Sequence, residues 1–306
     1  MQPSSVQTSS VFIPAPDGLR LHVRRYETAT ASGLPVVCLP GLARTTADFD
    51  VLAAALAADE KHPRRIYALD YRGRGQSGYD SNPDNYSVAV ELSDLIAVLT
   101  ALNLEPAIFI GTSRGGILAM LLAAVRPGAI AAVVLNDIGP VIEAKGLMRI
   151  KGYVGKLPPP KDIADAADIQ RRLFGAQFPK LTADDWLASA RRSFKDDKGR
   201  LVPTYDINLA KTLAGLEADQ PVPELWPQFD ALAGVPVMVI RGLLSDILNE
   251  QTLDVMRAHH PALEIVEVAD EGHAPLLADE PTVARIRQFV AKVQVAPMLA
   301  TSTPLQ

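Results

Sequence analysis

A single cysteine, Cys38, stands in 306 residues, so no disulfide can close within the chain. It lies in the apolar run Val36-Val37-Cys38-Leu39, which reads as a buried strand and makes the thiol an inert core group. An excess of positive charge is missing too: 30 Lys and Arg face 35 Asp and Glu, a net charge of −5 with no cationic block. That excludes the basic field needed to hold a nucleic-acid backbone or to dock on an anionic membrane. No apolar run approaches the roughly 20 residues of a membrane span. The best candidate, 117–125, is cut off by Arg126-Pro127. Residues 1–10 are polar and serine-rich, without the charged start and apolar stretch of a secretory signal, so a cytoplasmic location is expected. Metal-ligand spacings such as H-E-x-x-H are absent, and neither a metal nor an organic cofactor is expected.

What is present is enough apolar material, 48% of residues, for a sizeable core. Within it stands Gly111-Thr112-Ser113-Arg114-Gly115, directly after the apolar run 106–110 and directly before another, 117–125. The first reads as a short buried strand and the second as a helix, the setting in which G-x-S-x-G forms a nucleophile elbow. Glycines on both sides let the chain turn sharply and push the serine hydroxyl out above the sheet.

Strand-like runs alternate with longer helix-like segments, the pattern of a mostly parallel α/β sheet. Strands are expected at 10–13, 19–26, 36–39, 65–69, 107–110, 131–135, 237–240 and 264–268, the first two joined by Asp17-Gly18 as an edge hairpin. Helices are expected at 46–58, 87–102, 115–125, 250–260 and 282–293, with Ser87 as an N-cap. From Pro140 to Pro223 the alternation vanishes, Pro158-Pro159-Pro160 breaks the chain, and helical fragments take over at 163–174 and 184–194. The expected organisation is therefore a core of 1–139 and 224–294, a helical cap at 140–223 over the face that carries Ser113, and a frayed tail at 295–306.

A serine nucleophile needs a base that accepts its proton near neutral pH. Of the five histidines, His22 lies in the edge hairpin, His62 in a polar loop, and His259 and His260 at a helix end. His273, just past the last expected strand, is the candidate base. The orienting acid should follow another strand between the two in chain order. Asp246, after the strand at 237–240, is favoured, and Asp137, after the strand at 131–135, is the alternative. The oxyanion of a tetrahedral intermediate needs backbone donors. The amide of Arg114, beside the nucleophile at a helix start, and that of Leu42, in Pro40-Gly41-Leu42, are the candidates.

With these pieces in place the chain resembles the α/β-hydrolase superfamily over most of its length except the insertion. Leu39-Pro40-Gly41-Leu42 resembles the oxyanion loop, with proline where many relatives carry histidine. Asp70-Tyr71-Arg72-Gly73-Arg74-Gly75-Gln76-Ser77 resembles the D-x-R-G-x-G-x-S segment, a mostly architectural element in which Arg72 is expected to form ion pairs. Ser245-Asp246 and Gly272-His273 resemble the usual acid and base sites. The resemblance implies an eight-stranded, mostly parallel sheet and hydrolysis of a small-molecule carboxylic ester through an acyl-enzyme. A serine at the elbow argues against the aspartate-dependent dehalogenases and epoxide hydrolases. Lactonase, thioesterase and carbon–carbon hydrolase activities use the same triad, and some members only bind ligands. Arg114 is expected to partner a nearby carboxylate; a sharper alternative has it attract an acidic substrate together with Arg44. Trp186, with Tyr153, Phe194 and Trp226, is a candidate lining residue.

Overall fold

The computed structural model describes residues 5–217, 220 and 222–294. The expected tail at 295–306 lies outside the described residues. Ten strands are described: β1 (Gln7–Pro14), β2 (Arg20–Glu27), β3 (Val36–Leu39), β4 (Ile66–Asp70), β5 (Ala107–Thr112), β6 (Ile130–Asn136), β7 (Phe194–Asp197), β8 (Arg200–Pro203), β9 (Val237–Gly242) and β10 (Glu264–Val268). All but β7 and β8 join one sheet in the order β1-β2-β4-β3-β5-β6-β9-β10. β2 runs antiparallel to β1 and β4, and the remaining pairs are parallel. The helices are α1 (Asp50–Ala57), α2 (Val88–Ala101), α3 (Arg114–Val125), α4 (Ala144–Tyr153), α5 (Ile163–Phe174), α6 (Ala183–Ser193), α7 (Trp226–Asp230), α8 (Glu250–His259) and α9 (Glu280–Lys292).

The central strands are apolar on both faces because helices cover both, which is why they read as unbroken hydrophobic runs. Alternate residues of β5 divide between two cores. Phe109 packs with Leu95, Leu99, Leu118 and Leu122 of α2 and α3. Ile108 and Ile110 pack on the other side with Leu52 and Leu56 of α1 and Ile286 and Phe289 of α9. Cys38 is fully buried in that second core, and burial pushes its thiol pKa up, away from the reactive thiolate. Ser87 caps α2 by accepting the Val90 amide. The helix expected at 46–58 is divided, a 3₁₀ turn at Thr46–Phe49 preceding α1. Among the described residues no helix is long and apolar enough to cross a membrane.

Between β6 and β9 the chain leaves the sheet and folds α4, α5, α6 and the β7–β8 hairpin. α5, α6 and the hairpin form a small third core around Trp186, Phe178, Ala190 and Phe194, while α4 packs through Ile150 on the first core. Two features here depart from the sequence expectation. The hairpin breaks the all-helical reading: Asp197 pairs with Arg200, leaving Lys198 and Gly199 as a two-residue turn with φ of 55° and 80°. Such a turn needs two left-handed residues, and a single glycine is a weak signal for it. The helix α4 was hidden by its glycines. Gly146 is required because a Cβ there would lie 2.4 Å from the Asp246 carbonyl oxygen, where α4 presses on the loop after β9.

The loop from Asp70 to Ser77 is built by buried charge. Arg72, 1% exposed, donates two bonds of 2.7 Å to Asp94, itself 1% exposed, and further bonds to Asp17 and Asp80. Asp70 accepts the Thr46 amide and the His22 ring Nδ1–H, tying β2, β4 and the 3₁₀ turn before α1 together. Desolvation raises the Asp94 carboxyl pKa despite the opposing pull of Arg72. Removing one partner of such a pair leaves a buried charge unpaired and costs about 3–5 kcal/mol. Arg72→Met is therefore expected to lower the unfolding free energy by about that much in urea titrations. A loss below about 1 kcal/mol, the scale of an exposed pair, would contradict the structural role.

Candidate active site

Strand β5 ends at Thr112, and α3 begins at Arg114, so Ser113 alone makes the turn. Its backbone sits at φ 50°, ψ −110°, a conformation that L-residues rarely adopt. The turn is held by contact so close that side chains are excluded. A Cβ on Gly115 would fall 2.1 Å from the Leu39 carbonyl oxygen, and one on Gly111 would fall 2.5 Å from the Gly116 nitrogen. The Ser113 amide donates to the Asn136 carbonyl of the neighbouring strand at 3.0 Å.

Ser113 Oγ lies 2.8 Å from His273 Nε2, and His273 Nδ1 lies 2.8 Å from Asp137 Oδ2. A carboxylate only accepts, so Nδ1 carries the proton and Nε2 is left to accept from the serine hydroxyl. Asp137 is fully buried and saturated with donors: besides the imidazole it accepts the Gly242 amide at 2.9 Å and the Ser245 hydroxyl at 2.6 Å. Asn136 braces the other side, its Nδ2 donating to Thr112 Oγ1 and to the Pro275 carbonyl of the histidine loop.

The acid favoured from the sequence is not the one that meets the histidine. Asp246 turns away and accepts two bonds from Arg149 of α4, at 2.6 and 2.8 Å. Burial pushes its carboxyl pKa up, but the bonds and charge of Arg149 outweigh this and hold it below the ordinary carboxylate value. The physical reason is register. Thr112 pairs with Asn136, so the residues that follow, Ser113 and Asp137, leave adjacent strands at the same level. Asp137 then takes φ 54°, which swings its carboxylate across the sheet edge. Asp246 lies beyond the end of β9 and one strand further from the serine. From the Ser245-Asp246 pair the structure brings the hydroxyl to the site instead of the carboxylate. The order of the strands was the missing signal, because β6 is the direct neighbour of β5.

The amides of Leu42 and Arg114 make no hydrogen bond among the described residues; Arg114 follows Ser113 at the helix start, and Leu42 lines the same cavity as Ser113. The Arg114 side chain is committed elsewhere. Its Nε donates to Glu91 at 2.7 Å and its Nη2 to the Tyr86 carbonyl at 3.1 Å, which removes it as a receptor for an acidic substrate. Arg44 is likewise engaged, donating two bonds to Asp48. That carboxylate raises its pKa against the cost of burial. Of the other histidines, His22 is held by Asp70, His259 by Asp230 and the Trp226 ring, and His260 by the Val235 carbonyl, while His62 is exposed. Among the described residues no group of three or more His, Cys, Asp or Glu side chains is placed to hold a metal.

A cavity of about 700 Å³ opens onto Ser113 and His273. Its wall combines the sheet-side loops with the insertion: Leu42 and Leu276 on one side, Tyr153, Phe174, Trp186 and Leu201 on the other. Trp186 is 5% exposed and Arg44 stands at the rim with Asp48, whereas Trp226 is stacked on His259 away from the cavity. Burial raises the Tyr153 hydroxyl pKa, with Arg149 and Arg44 opposing.

A sequence profile described as the alpha/beta hydrolase family matches residues 36–285. The chain belongs to the alpha/beta hydrolase family. It is a hydrolase by that membership, and its relatives include ester hydrolases. A 3-hydroxybutyrate-oligomer hydrolase of Cupriavidus necator is 32% identical over 266 residues, covering 83% of this chain and 87% of the relative. The sn-1-specific diacylglycerol lipase ABHD11 of Mus musculus is 37% identical over 154 residues, covering 50% of this chain and 46% of that one. Among solved structures, an alpha/beta hydrolase from Novosphingobium aromaticivorans is 39% identical with a TM-score of 0.85, covering 94% of this chain and 99% of its own.

The two carboxylates separate cleanly by mutation. Asp137→Asn is expected to lower kcat about 10³- to 10⁴-fold, because the imidazole loses the partner that fixes its tautomer. Asp246→Asn leaves kcat within about tenfold, its charge reaching His273 only through space. Steady-state kinetics on a common chromogenic substrate decide between them, and the reverse order would restore Asp246 as the orienting acid.

Proposed function

We propose that this hydrolase cleaves carboxylic esters through an acyl-enzyme on Ser113, with His273 as base and Asp137 as the orienting acid. The reading rests above all on the unbroken Ser113–His273–Asp137 hydrogen-bond chain carried on a strained elbow. Ser113 Oγ attacks the ester carbonyl as its proton passes to His273 Nε2. The oxyanion is held by the amides of Leu42 and Arg114, and the start of α3 adds its favourable dipole. Asp137 stabilises the imidazolium without taking its proton. Collapse breaks the bond to the alkoxy group, which leaves as the alcohol with the proton from His273. Water, deprotonated by His273, then attacks the acyl-enzyme, releases the acid and restores Ser113. The segment 140–223 acts as a cap that excludes bulk water from this sequence of steps.

The substrate class we favour is a short aliphatic oligoester of a hydroxy acid, such as the dimer or trimer of 3-hydroxybutyrate. The name of the Cupriavidus necator relative supports it, over most of both chains. So does the cavity, whose size lies in the ordinary range of about 300–1,000 Å³ for small-molecule sites and whose walls are largely leucine, proline and aromatic. Arg44 of the cavity wall is paired with Asp48, which suits the neutral ester linkages of such a chain rather than its terminal carboxylate.

The test compares wild type and Ser113→Ala on short- and medium-chain p-nitrophenyl esters and on linear 3-hydroxybutyrate oligomers. Sustained turnover by the wild type is expected, with a loss of at least about 10³-fold in the variant. An alkyl fluorophosphonate should add to the wild type alone in intact-mass spectra. A folded wild type that is inert toward every ester would overturn the reading and move carbon–carbon bond hydrolysis forward.

A further inference from the structure

Glu91 is a buried carboxylate that the proposed reaction does not use. It is fully buried on α2, yet each of its oxygens meets a guanidinium: Oε1 lies 2.7 Å from Arg74 Nη1, and Oε2 accepts from Arg114 Nε at 2.7 Å. Arg74, also fully buried, donates through Nε to the Leu42 carbonyl at 2.8 Å and through Nη1 to the Arg72 carbonyl. One carboxylate thus connects the two chain segments whose amides are assigned to the oxyanion.

The loop around Leu42 is held at each of its carbonyls. Pro40 accepts the Tyr71 hydroxyl at 3.2 Å, Gly41 accepts the Arg44 amide at 3.2 Å, and Leu42 accepts Arg74. Fixing the carbonyls fixes the peptide planes, and with them the direction of the Leu42 N–H. On the other side Arg114 is anchored at both ends, its amide opening α3 and its guanidinium on Glu91 and Tyr86. The cluster holds two cations and one anion. The insertion packs against this cluster, with Gly75 donating to the Thr204 carbonyl and the Tyr86 hydroxyl to Asp206.

We propose that Glu91 is a positioning residue for the oxyanion hole: held between Arg74 and Arg114, it locks the Leu42 and Arg114 amides into one rigid donor pair. This inference rests on the ester-hydrolase reading of the same site. It differs from a purely architectural ion pair in what it predicts for the two states of the reaction. Donor alignment matters where negative charge develops and little where the neutral ester binds.

Glu91→Gln keeps the side-chain shape and removes the charge. It is expected to lower kcat about 10- to 100-fold while KM stays within about threefold, the mark of an interaction made in the transition state. A trifluoromethyl ketone that forms a hemiketal with Ser113 should lose affinity by the same factor. The uncleavable ether analogue of the substrate should bind the variant as well as it binds the wild type. Arg114→Met, which leaves the Arg74–Glu91 pair in place, should show the same split, and it supplies the answer if Glu91→Gln does not fold. Thermal melting confirms that each compared variant is native. Variants that are folded and unchanged in kcat and ketone affinity would overturn the positioning role, as would equal losses for ketone and ether. A wild type inert toward esters would remove the underlying reading and this one with it.

Discussion

Everything at this site depends on how closely the elbow packs against the neighbouring strand. The start of α3 touches the Leu39 carbonyl so tightly that Gly115 can carry no side chain. A serine forced to φ 50° costs about 1–3 kcal/mol, and such strain persists only where the surroundings over-determine it. Here they do, through the Ser113–Asn136 backbone bond, the glycines and the central sheet beneath. The same contact brings the loop after β3 next to the helix start, so Ser113 and the amides proposed to hold the oxyanion come from one packing event.

Much of this was legible in the chain. The apolar runs mark the eight sheet strands within a few residues, most sharply the central ones, which are buried on both faces and have no polar side to blur them. The elbow and the histidine loop also stand out, since each combines a rare residue pattern with a strand end. The choice of acid was not legible. Asp137 and Asp246 both follow strands, and only the lateral order of β5, β6 and β9 and the left-handed turn at Asp137 separate them. Local sequence carries neither fact. The β7–β8 hairpin and α4 escaped for a related reason: both lie in the insertion, where Lys198-Gly199 and the glycines of α4 answer to contacts distant in sequence.

A small set of charges in this molecule is spent inward. Arg72, Arg74, Glu91, Asp94 and Asp137 are all buried, and each is matched by an opposite charge or by hydrogen-bond donors within the protein. Buried ion pairs do little for net stability compared with apolar packing, but they fix geometry because few arrangements satisfy them. Around Ser113 that rigidity falls on the loops, the part of an α/β sheet with fewest regular contacts of its own.

The placement of Asp137 at the tip of β6 has a consequence for how such a chain can diversify. With the histidine's partner supplied by the end of a sheet strand, the loop after β9 is left a supporting part, its Ser245 hydroxyl and the Gly242 amide donating to Asp137. Asp246 there grips Arg149 on α4, so the loop serves as a footing for the insertion. Over evolutionary time that footing can be lengthened, recharged or moved, altering what roofs the cavity, while the distance between serine, imidazole and carboxylate stays the same. The roof of the cavity can thereby drift at Asp246 and Arg149, while the neighbouring Ser245 keeps its bond to Asp137.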